Sequence, residues 1–268
     1  MKKQILTARN ADKHVLYQKS VQSPEVDVEF FSRYYRRLTG KPLRRFREDF
    51  CGTAILSSEF VKLHRENRAM GVDMHAPTLA WARKQNISGL NESQRERVSL
   101  VRGKVQEVRD PKADLIAAVN FSYWVFKSRK SLLGYFRNAR RSLTRGGLFL
   151  VDIYGGSEAV EESEDRIRYN GFTYVWDQAR FDPLTYEILC KIHFEFKDGS
   201  RLRNAFVYDW RLWTLPEVQE LFREAGFRDV HVLWECVDRK TSEGNGVYRR
   251  TKRGQDDPSY IVFVVGRA

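Results

Sequence analysis

The sequence lacks the long apolar runs, paired cysteines and histidine spacings that mark several classes of protein. No stretch of its 268 residues approaches the ~18 consecutive apolar residues of a membrane-spanning helix. The first residues, MKKQILTARNADK, include two lysines but no apolar segment, so we expect no secretory signal. Three cysteines at unrelated spacings (Cys51, Cys190 and Cys236) favour reduced thiols in a cytoplasmic protein over a disulfide framework or a zinc site. The five histidines show no H-x-x-x-H spacing, so we predict no metal site.

Charge is plentiful and unbalanced. The chain has 47 basic and 35 acidic residues, a formal net charge of +12. A strongly basic protein can bind nucleic acid or another anionic surface. The basic residues occur in several short groups, near 33–37, 41–47, 137–145 and 249–253, rather than in one block. This dispersion favours a solvated surface and leaves an RNA substrate as the alternative.

Residues 45–61, RFREDFCGTAILSSEFV, contain the most informative pattern in the chain. A short run ends in acidic residues, a tight turn around Gly52 follows, and apolar residues then recur at helical spacing. A glycine at such a turn lets the backbone approach a ligand closely, and the start of a helix offers free N–H groups. We therefore predict a strand, a ligand-binding turn and a helix. A nicotinamide-binding domain is the less favoured alternative, because the G-x-G-x-x-G pattern is absent.

Strand-like and helix-like segments alternate five times up to residue 154. Apolar runs end at 73, 102, 119 and 154, and residues 131–143 carry apolar side chains on one helical stripe. The alternation is typical of a doubly wound α/β sheet. After residue 155 the period becomes two, with residues 188–196 and 202–212 flanking an Asp198-Gly199 turn. This predicts an inserted antiparallel β element, followed by a helix and two last strands at 230–237 and 260–265, with a polar loop at 238–258 between them.

Residues 48–54, EDFCGTA, resemble the first motif of class I S-adenosylmethionine (SAM)-dependent methyltransferases, which is often written DLGCGTG. The Cys-Gly-Thr core matches and Glu48 falls on the acidic position, but Phe50 and Ala54 replace two glycines. LTRGGLFLVD at 143–152 resembles the family's L-x-P-G-G-x-L segment. The resemblance implies an α/β fold whose doubly wound, seven-stranded, mostly parallel sheet has an antiparallel last strand and an inserted antiparallel β element.

The resemblance also implies a SAM site. Asp73 lies 21 residues after Gly52 at the end of a strand, where an acidic residue is placed to hold a ribose. The family's acidic residue at the adenine is replaced by Lys104, which cannot accept a hydrogen bond, so the Val105 backbone or the Gln106 amide is expected to contact the adenine. The predicted cofactor-binding residues are Glu48, Phe50, Cys51, Gly52, Thr53, Asp73, Met74, Lys104, Val105, Gln106 and Asn120.

On the acceptor side, SAM already carries an activated leaving group, so the protein mainly supplies alignment and exclusion of water. Asn120 and Tyr154 follow two strands at the expected crevice, and we predict them as the catalytic residues. Cys51 lacks a histidine partner, so a nucleophilic role is not expected. The predicted substrate-binding residues are Tyr17, Gln22, Tyr123, Tyr154, Arg211, Asn245 and Tyr248.

These patterns predict four regions: a helical lid at 1–41, a SAM-binding core at 42–154, a β cover over the substrate at 155–213, and a C-terminal helix with two strands at 214–268. The leading hypothesis is a cytoplasmic SAM-dependent methyltransferase that acts on a small molecule. The alternatives are an RNA methyltransferase and a catalytically inactive SAM-binding protein. An RNA methyltransferase would be expected to carry an Asn/Asp-Pro-Pro-aromatic tetrad, and residues 120–123 read NFSY instead.

Overall fold

The computed structural model describes residues 5–237 and 244–268, apart from the side chains of Val237 and Asn245. The chain divides into two compact units. Met1–Ser23, Trp124–Lys127 and Ser157–Leu212 form one, which we call the β unit, and Pro24–Tyr123, Ser128–Gly156 and Trp213–Ala268 form the other, the core unit. The predicted lid at 1–41 is thus divided, because its first helix belongs to the β unit and its second to the core unit.

The strands, in chain order, are β1 (Arg45–Asp49), β2 (Arg68–Asp73), β3 (Val98–Arg102), β4 (Ala113–Ala118), β5 (Leu143–Gly155), β6 (Ser163–Tyr169), β7 (Phe172–Asp182), β8 (Glu187–Phe196), β9 (Arg201–Arg211), β10 (Arg228–Val237), β11 (Gly244–Thr251) and β12 (Tyr260–Arg267). The α-helices are α1 (Lys13–Val21), α2 (Pro24–Thr39), α3 (Ile55–Leu63), α4 (Ala76–Ala82), α5 (Glu92–Arg95), α6 (Arg129–Arg141) and α7 (Leu215–Glu224). A π-helical turn, Arg83–Ile87, extends α4. No helix in the described ranges is long and apolar enough to cross a membrane.

The core unit is built on an eight-stranded sheet in the order β11-β10-β12-β5-β4-β1-β2-β3. The first five strands of the chain are parallel, and β12 runs antiparallel beside β5. We call the edge at which β1–β5 end the carboxyl edge, and the edge at which they begin the amino edge. In an open α/β sheet of this kind the ligand crevice lies at the carboxyl ends of the strands.

Apolar side chains cover both faces of this sheet. On one face Phe31 of α2 and Phe60 of α3 pack in a buried cluster with Leu150 of β5. On the other, Phe149 of β5 stacks on Phe222 of α7, with ring centroids 5.1 Å apart. Every residue of β4 is buried, and residues 115–118 are continuously apolar because both faces of the strand are covered.

The β unit is an antiparallel sheet in the order β6-β7-β8-β9, together with α1. Buried and partly exposed residues alternate along β8, as the period of two predicted. Leu16 of α1 is buried in the same apolar cluster as Ile192 and Phe194 of β8. The inserted antiparallel element predicted from the sequence is confirmed.

The region predicted as a helical lid contains two helices, since the chain is extended at Gln22, between α1 and α2. One sequence expectation about the elements was wrong. The sheet has eight strands rather than seven, because β11 lies inside the segment expected to be a polar loop and pairs with β10. An edge strand needs only backbone pairing on one side, so its residues can remain polar and give no apolar alternation.

Candidate functional site

The turn after β1 has the backbone of a glycine-rich loop although it contains only one glycine. Phe50, Gly52 and Ala54 all have positive φ, at 56°, 49° and 53°. These are the three positions at which the related motif has glycine, and this left-handed region is costly for other residues. The surrounding structure therefore preserves the loop conformation after two of its glycines have been replaced.

Glu48 stabilises this turn through hydrogen bonds to the start of the following helix. Its carboxylate accepts hydrogen bonds from the Ser57 backbone N–H at 2.9 Å and the Ser57 hydroxyl at 2.6 Å, at the start of α3. The side chain is buried, and burial raises the pKa of Glu48 to about 7. Its predicted role in cofactor binding is thus indirect in this arrangement, since the carboxylate caps the helix that follows the turn.

Asp73 joins the turn to the end of β2. One of its carboxylate oxygens accepts from the Gly52 N–H at 2.8 Å and the other from the His75 N–H at 2.7 Å. Gly71, two residues earlier, was not predicted as a site residue. A side chain there would lie 2.8 Å from the Cys51 sulfur, so only glycine lets the turn pack this closely on β2.

The loop after β3 is held by a buried arginine that the sequence analysis missed. Arg47, which is fully buried, donates to Asp49 at 2.5 Å and to the backbone carbonyls of Val105 at 3.1 Å and Val108 at 2.8 Å. Asn138 of α6 donates to the same two carbonyls, both at 2.9 Å. The signal was present in the sequence: two opposite charges two residues apart in a central strand share one face and need partners there.

The three residues predicted to contact the adenine lie in this loop. Lys104 is exposed and pairs with Glu107 at 3.2 Å. Val105 is buried and Gln106 is partly exposed. The Val105 carbonyl is engaged by Arg47 and Asn138, so the N–H groups of the loop and the Gln106 side chain remain for a ligand, and their contact with an adenine stays a prediction.

A second unusual turn follows β4. Asn120 and Phe121 have consecutive positive φ values of 56° and 55°. Both of their N–H groups donate to the carboxylate of Asp152 in β5, at 2.6 Å and 2.9 Å. Burial, with a smaller contribution from Asp27, raises the pKa of Asp152 to about 7, although the two backbone N–H groups oppose the shift. The Asp152 carboxylate thus fixes the backbone of Asn120, a predicted catalytic residue.

The other predicted acceptor residues of the core unit differ in exposure. Tyr154 is partly exposed, and its ring lies 6.0 Å from that of Phe121. Tyr123 is wholly buried and its ring packs on Phe136, and its role in acceptor binding stays a prediction. The hydroxyl of Tyr248 lies 3.4 Å from the carboxylate of Glu235. The side chain of Asn245 lies outside the part of the chain that the structure describes.

The remaining predicted acceptor residues belong to the β unit. Tyr17 packs on the ring of Phe206 at 4.9 Å. Gln22 is partly exposed and directly follows α1. Arg211 donates to the Lys127 carbonyl at 3.1 Å, and it pairs in register with Glu187. No observation tests whether these three residues touch an acceptor, so their role stays a prediction.

The carboxyl edge has open space and exposed apolar surface that a SAM molecule can occupy. A side chain built at Gly52 would approach only Thr78, at 4.0 Å, so the space beside the turn is open. Asp73 is partly exposed, and the neighbouring Met74 exposes 60% of its surface, which an adenine ring can cover. Burial raises the pKa of the Cys51 thiol well above its ordinary value, so it is no nucleophile. The described residues contain no cluster able to hold a metal ion.

Comparisons with known proteins agree with this geometry. The model of the methyltransferase domain family matches residues 49–151, which span β1 to β5. A search of curated proteins found no match.

Solved structures match the whole chain at low identity. A SAM-dependent methyltransferase from Clostridium acetobutylicum is 16% identical with a TM-score of 0.66, covering 95% of this chain and 96% of that one. A SAM-bound amino pentose methyltransferase from Micromonospora echinaspora is 15% identical with the same score and coverage. A sugar N-methyltransferase from Streptoalloteichus is 15% identical with a TM-score of 0.64, covering 100% of this chain and 95% of that one. The shared fold includes both units of the chain.

Proposed function

We propose that this chain is a class I SAM-dependent methyltransferase and that it transfers the methyl group to a small molecule. The observation that carries this proposal is the charge of the carboxyl edge. Its five connecting segments, at 49–54, 73–77, 103–107, 119–123 and 153–156, contain one basic residue, Lys104, against three acidic ones, Asp49, Asp73 and Glu107. A neutral or cationic acceptor can approach this edge, whereas the phosphates of an RNA substrate would meet a single basic side chain there, which already pairs with Glu107.

The residues of the chain perform binding and alignment. SAM, when bound, supplies an activated methyl group on a sulfonium, and transfer requires the acceptor atom in line with that bond. The Gly52 turn and Asp73 would hold the nucleoside, and the loop clamped by Arg47 would hold the adenine. The turn at Asn120, whose backbone N–H is held by Asp152, would then lie beside the methyl group.

The relatives suggest where an acceptor search should begin. Three proteins with similar structures are an amino pentose methyltransferase, a sugar N-methyltransferase and a glycopeptide N-methyltransferase, so we begin with amines. An amine nucleophile needs a base only when it arrives protonated. Asp152, with a pKa of about 7, is engaged by two N–H groups, so we assign it a positioning role and not that of the base.

The first experiment measures binding of SAM and S-adenosylhomocysteine by calorimetry, using the wild type and Asp73→Ala. We expect micromolar binding that Asp73→Ala weakens at least tenfold, or about 1.4 kcal/mol. Asp110→Ala, an exposed aspartate at the amino edge, is the matched control and should bind as the wild type does. Absence of binding by the wild type would contradict the cofactor assignment.

The second experiment tests the acceptor. Production of S-adenosylhomocysteine is followed with amino sugars, with their hydroxyl counterparts and with unmodified tRNA. Turnover with a small molecule supports the proposal, and turnover with tRNA alone would replace it by the RNA alternative. SAM binding without turnover on any acceptor tested would favour the inactive SAM-binding alternative.

A further inference from the structure

The amino edge of the core unit's sheet concentrates the positive charge that the sequence spreads along the chain. Five connections enter β1–β5 at this edge, at 40–45, 64–68, 91–97, 109–114 and 141–146. Together they contain eleven basic and five acidic residues, an excess of six, which is half of the net charge of +12. Groups that are far apart in sequence meet here because all five strands begin at the same edge.

Some of these basic residues maintain the fold. Arg97 donates through one nitrogen to the carbonyls of Val61, His64 and Asn67, and so ties α3 to β2. Arg45 forms a two-point contact with Asp114, at 2.8 Å and 3.4 Å. These two arginines are already engaged in the free protein.

Other basic residues at this edge are available to a ligand. Arg65, Arg68, Lys112 and Arg145 are all exposed, and none forms a side-chain ion pair or hydrogen bond with the described residues. Arg68 and Lys112 also line a cleft of about 200 Å³ at the starts of β1, β2 and β4. Because β5, β4, β1 and β2 are adjacent in that order, the charges form a row on the order of 15 Å long.

We propose that the amino edge binds the phosphate backbone of a nucleic acid, with RNA as the partner tested. The excess charge and its arrangement along one edge are the electrostatic features of such a surface. Nine of the eleven basic residues are arginine, whose planar guanidinium suits phosphate recognition better than the lysine ammonium does. Apolar anchors that a membrane surface would require are scarce, since Leu63 is the one large exposed apolar side chain beside these segments.

The RNA bound here is a docking partner and not the methyl acceptor. Strands of five to six residues at ~3.3 Å each separate the amino edge from the carboxyl edge by roughly 17–20 Å. The inference is therefore independent of the proposed acceptor. The carboxyl edge of the sheet would thus bind a neutral or cationic acceptor, and the amino edge would bind an anionic partner.

The test measures fluorescence anisotropy of a labelled single-stranded RNA 20-mer at several salt concentrations. The variant Arg68→Glu/Lys112→Glu/Arg145→Glu reverses three amino-edge charges. The control Lys130→Glu/Arg168→Glu/Lys197→Glu makes the same change in net charge at three exposed residues elsewhere that have no ion pair among the described residues. Each phosphate contact contributes ~0.7 to the slope of log affinity against log salt for single strands.

We expect the amino-edge variant to lose at least tenfold in RNA affinity and about two units of salt slope, and the control to lose less than threefold. Equal losses in both variants would show a non-specific effect of net charge and overturn the proposal. The proposal would also be overturned if polyglutamate displaced the RNA equally well, or if the protein bound phosphatidylserine vesicles but not RNA. SAM affinity, measured on the same variants, should be unchanged, which separates this test from that of the cofactor site.

Discussion

The two edges of the core unit's sheet use charge in opposite ways. At the carboxyl edge the carboxylates of Glu48, Asp73 and Asp152 accept backbone N–H groups and so fix the two turns that flank the site. At the amino edge, residues such as Arg68 and Arg145 extend into solvent. A buried charge with several hydrogen bonds sets local geometry, whereas an exposed charge acts over a distance on a mobile partner.

The difference shows why net charge alone does not indicate the acceptor. A surplus of basic residues left an RNA substrate as an alternative, but at the carboxyl edge acidic residues outnumber basic ones. Charged residues indicate the type of partner only when the fold shows which surface they occupy. If this contrast between the two edges is correct, matched substitutions at the two edges should have effects of different magnitude and should change different properties.

The largest effect is expected for Arg47→Met. Arg47 is fully buried, and its loss leaves Asp49 as an unpaired buried charge, which typically costs 3–5 kcal/mol. Arg45→Met, two residues earlier, removes a half-exposed partner of Asp114 and should cost less than about 1 kcal/mol. Urea unfolding of both variants measures the difference.

The double variant Arg47→Met/Asp49→Leu removes both charges and should recover part of the stability. SAM affinity should be weakened in Arg47→Met and also in the double variant, because the carbonyls of Val105 and Val108 have lost the hydrogen bonds that Arg47 donates. Equal destabilisation by Arg47→Met and Arg45→Met would contradict the contrast between the edges.

The sequence predicted features that depend on local patterns and missed features that depend on residues far apart in the chain. The alternating elements, the turn at Gly52 and the position of Asp73 depend on local patterns, and the structure has them as expected. The roles of Arg47 and Asp152 depend on partners 30 or more residues away, which no local pattern specifies. The collection of basic residues at one edge likewise depends on the order of the strands.

Gly71→Ala tests how closely the ligand-binding turn must pack. Its new methyl group would lie 2.8 Å from the Cys51 sulfur and 3.0 Å from Leu100, a degree of overpacking that typically costs 1–3 kcal/mol. SAM affinity should fall as well, since the turn moves away from β2. Calorimetry of binding and thermal unfolding give the two readouts.

Gly134→Ala is the matched control for that substitution. Gly134 lies in α6 with no atom within 4 Å of an added Cβ, so alanine should stabilise the protein by roughly 0.4–1 kcal/mol. SAM affinity should not change. Retention of full affinity by Gly71→Ala would show that the turn tolerates a wider spacing from β2.

Asp152→Asn should lower turnover by about tenfold while leaving SAM affinity within a few-fold, because the turn at Asn120 loses one of its two acceptors. Asp114→Asn, at the amino edge, should not change turnover.

The pKa of about 7 predicts that wild-type turnover falls as pH drops below 7, when Asp152 takes up a proton. The variant should lack this dependence, and an unchanged pH profile would contradict the positioning role.

The same pKa predicts the sign of the effect on stability. The native pKa of Asp152 lies above its ordinary value of 3.8, so the native state binds more protons than the unfolded state between these two pH values. Its contribution to the free energy of unfolding is therefore greatest below about pH 4 and is lost as pH rises through 7. Urea unfolding from pH 4 to 8 should show a shallower decline for Asp152→Asn.

The smallest effect is expected for Ala54→Gly. Glycine relieves a left-handed residue, a gain of about 1–2 kcal/mol, but removes a buried methyl group worth ~0.8 kcal/mol and adds ~0.5–1 kcal/mol of backbone entropy cost. These contributions nearly cancel, so stability should change by less than about 1 kcal/mol. At the amino edge the reverse substitution, Gly146→Ala, imposes φ of 76° on alanine, brings its methyl group to 3.3 Å from the Arg267 guanidinium and should destabilise by about 1–2 kcal/mol. Unchanged SAM affinity in Ala54→Gly would show that the site requires the conformation of the turn and not glycine itself, and a marked gain in affinity would mean that the Ala54 methyl group restricts the cofactor.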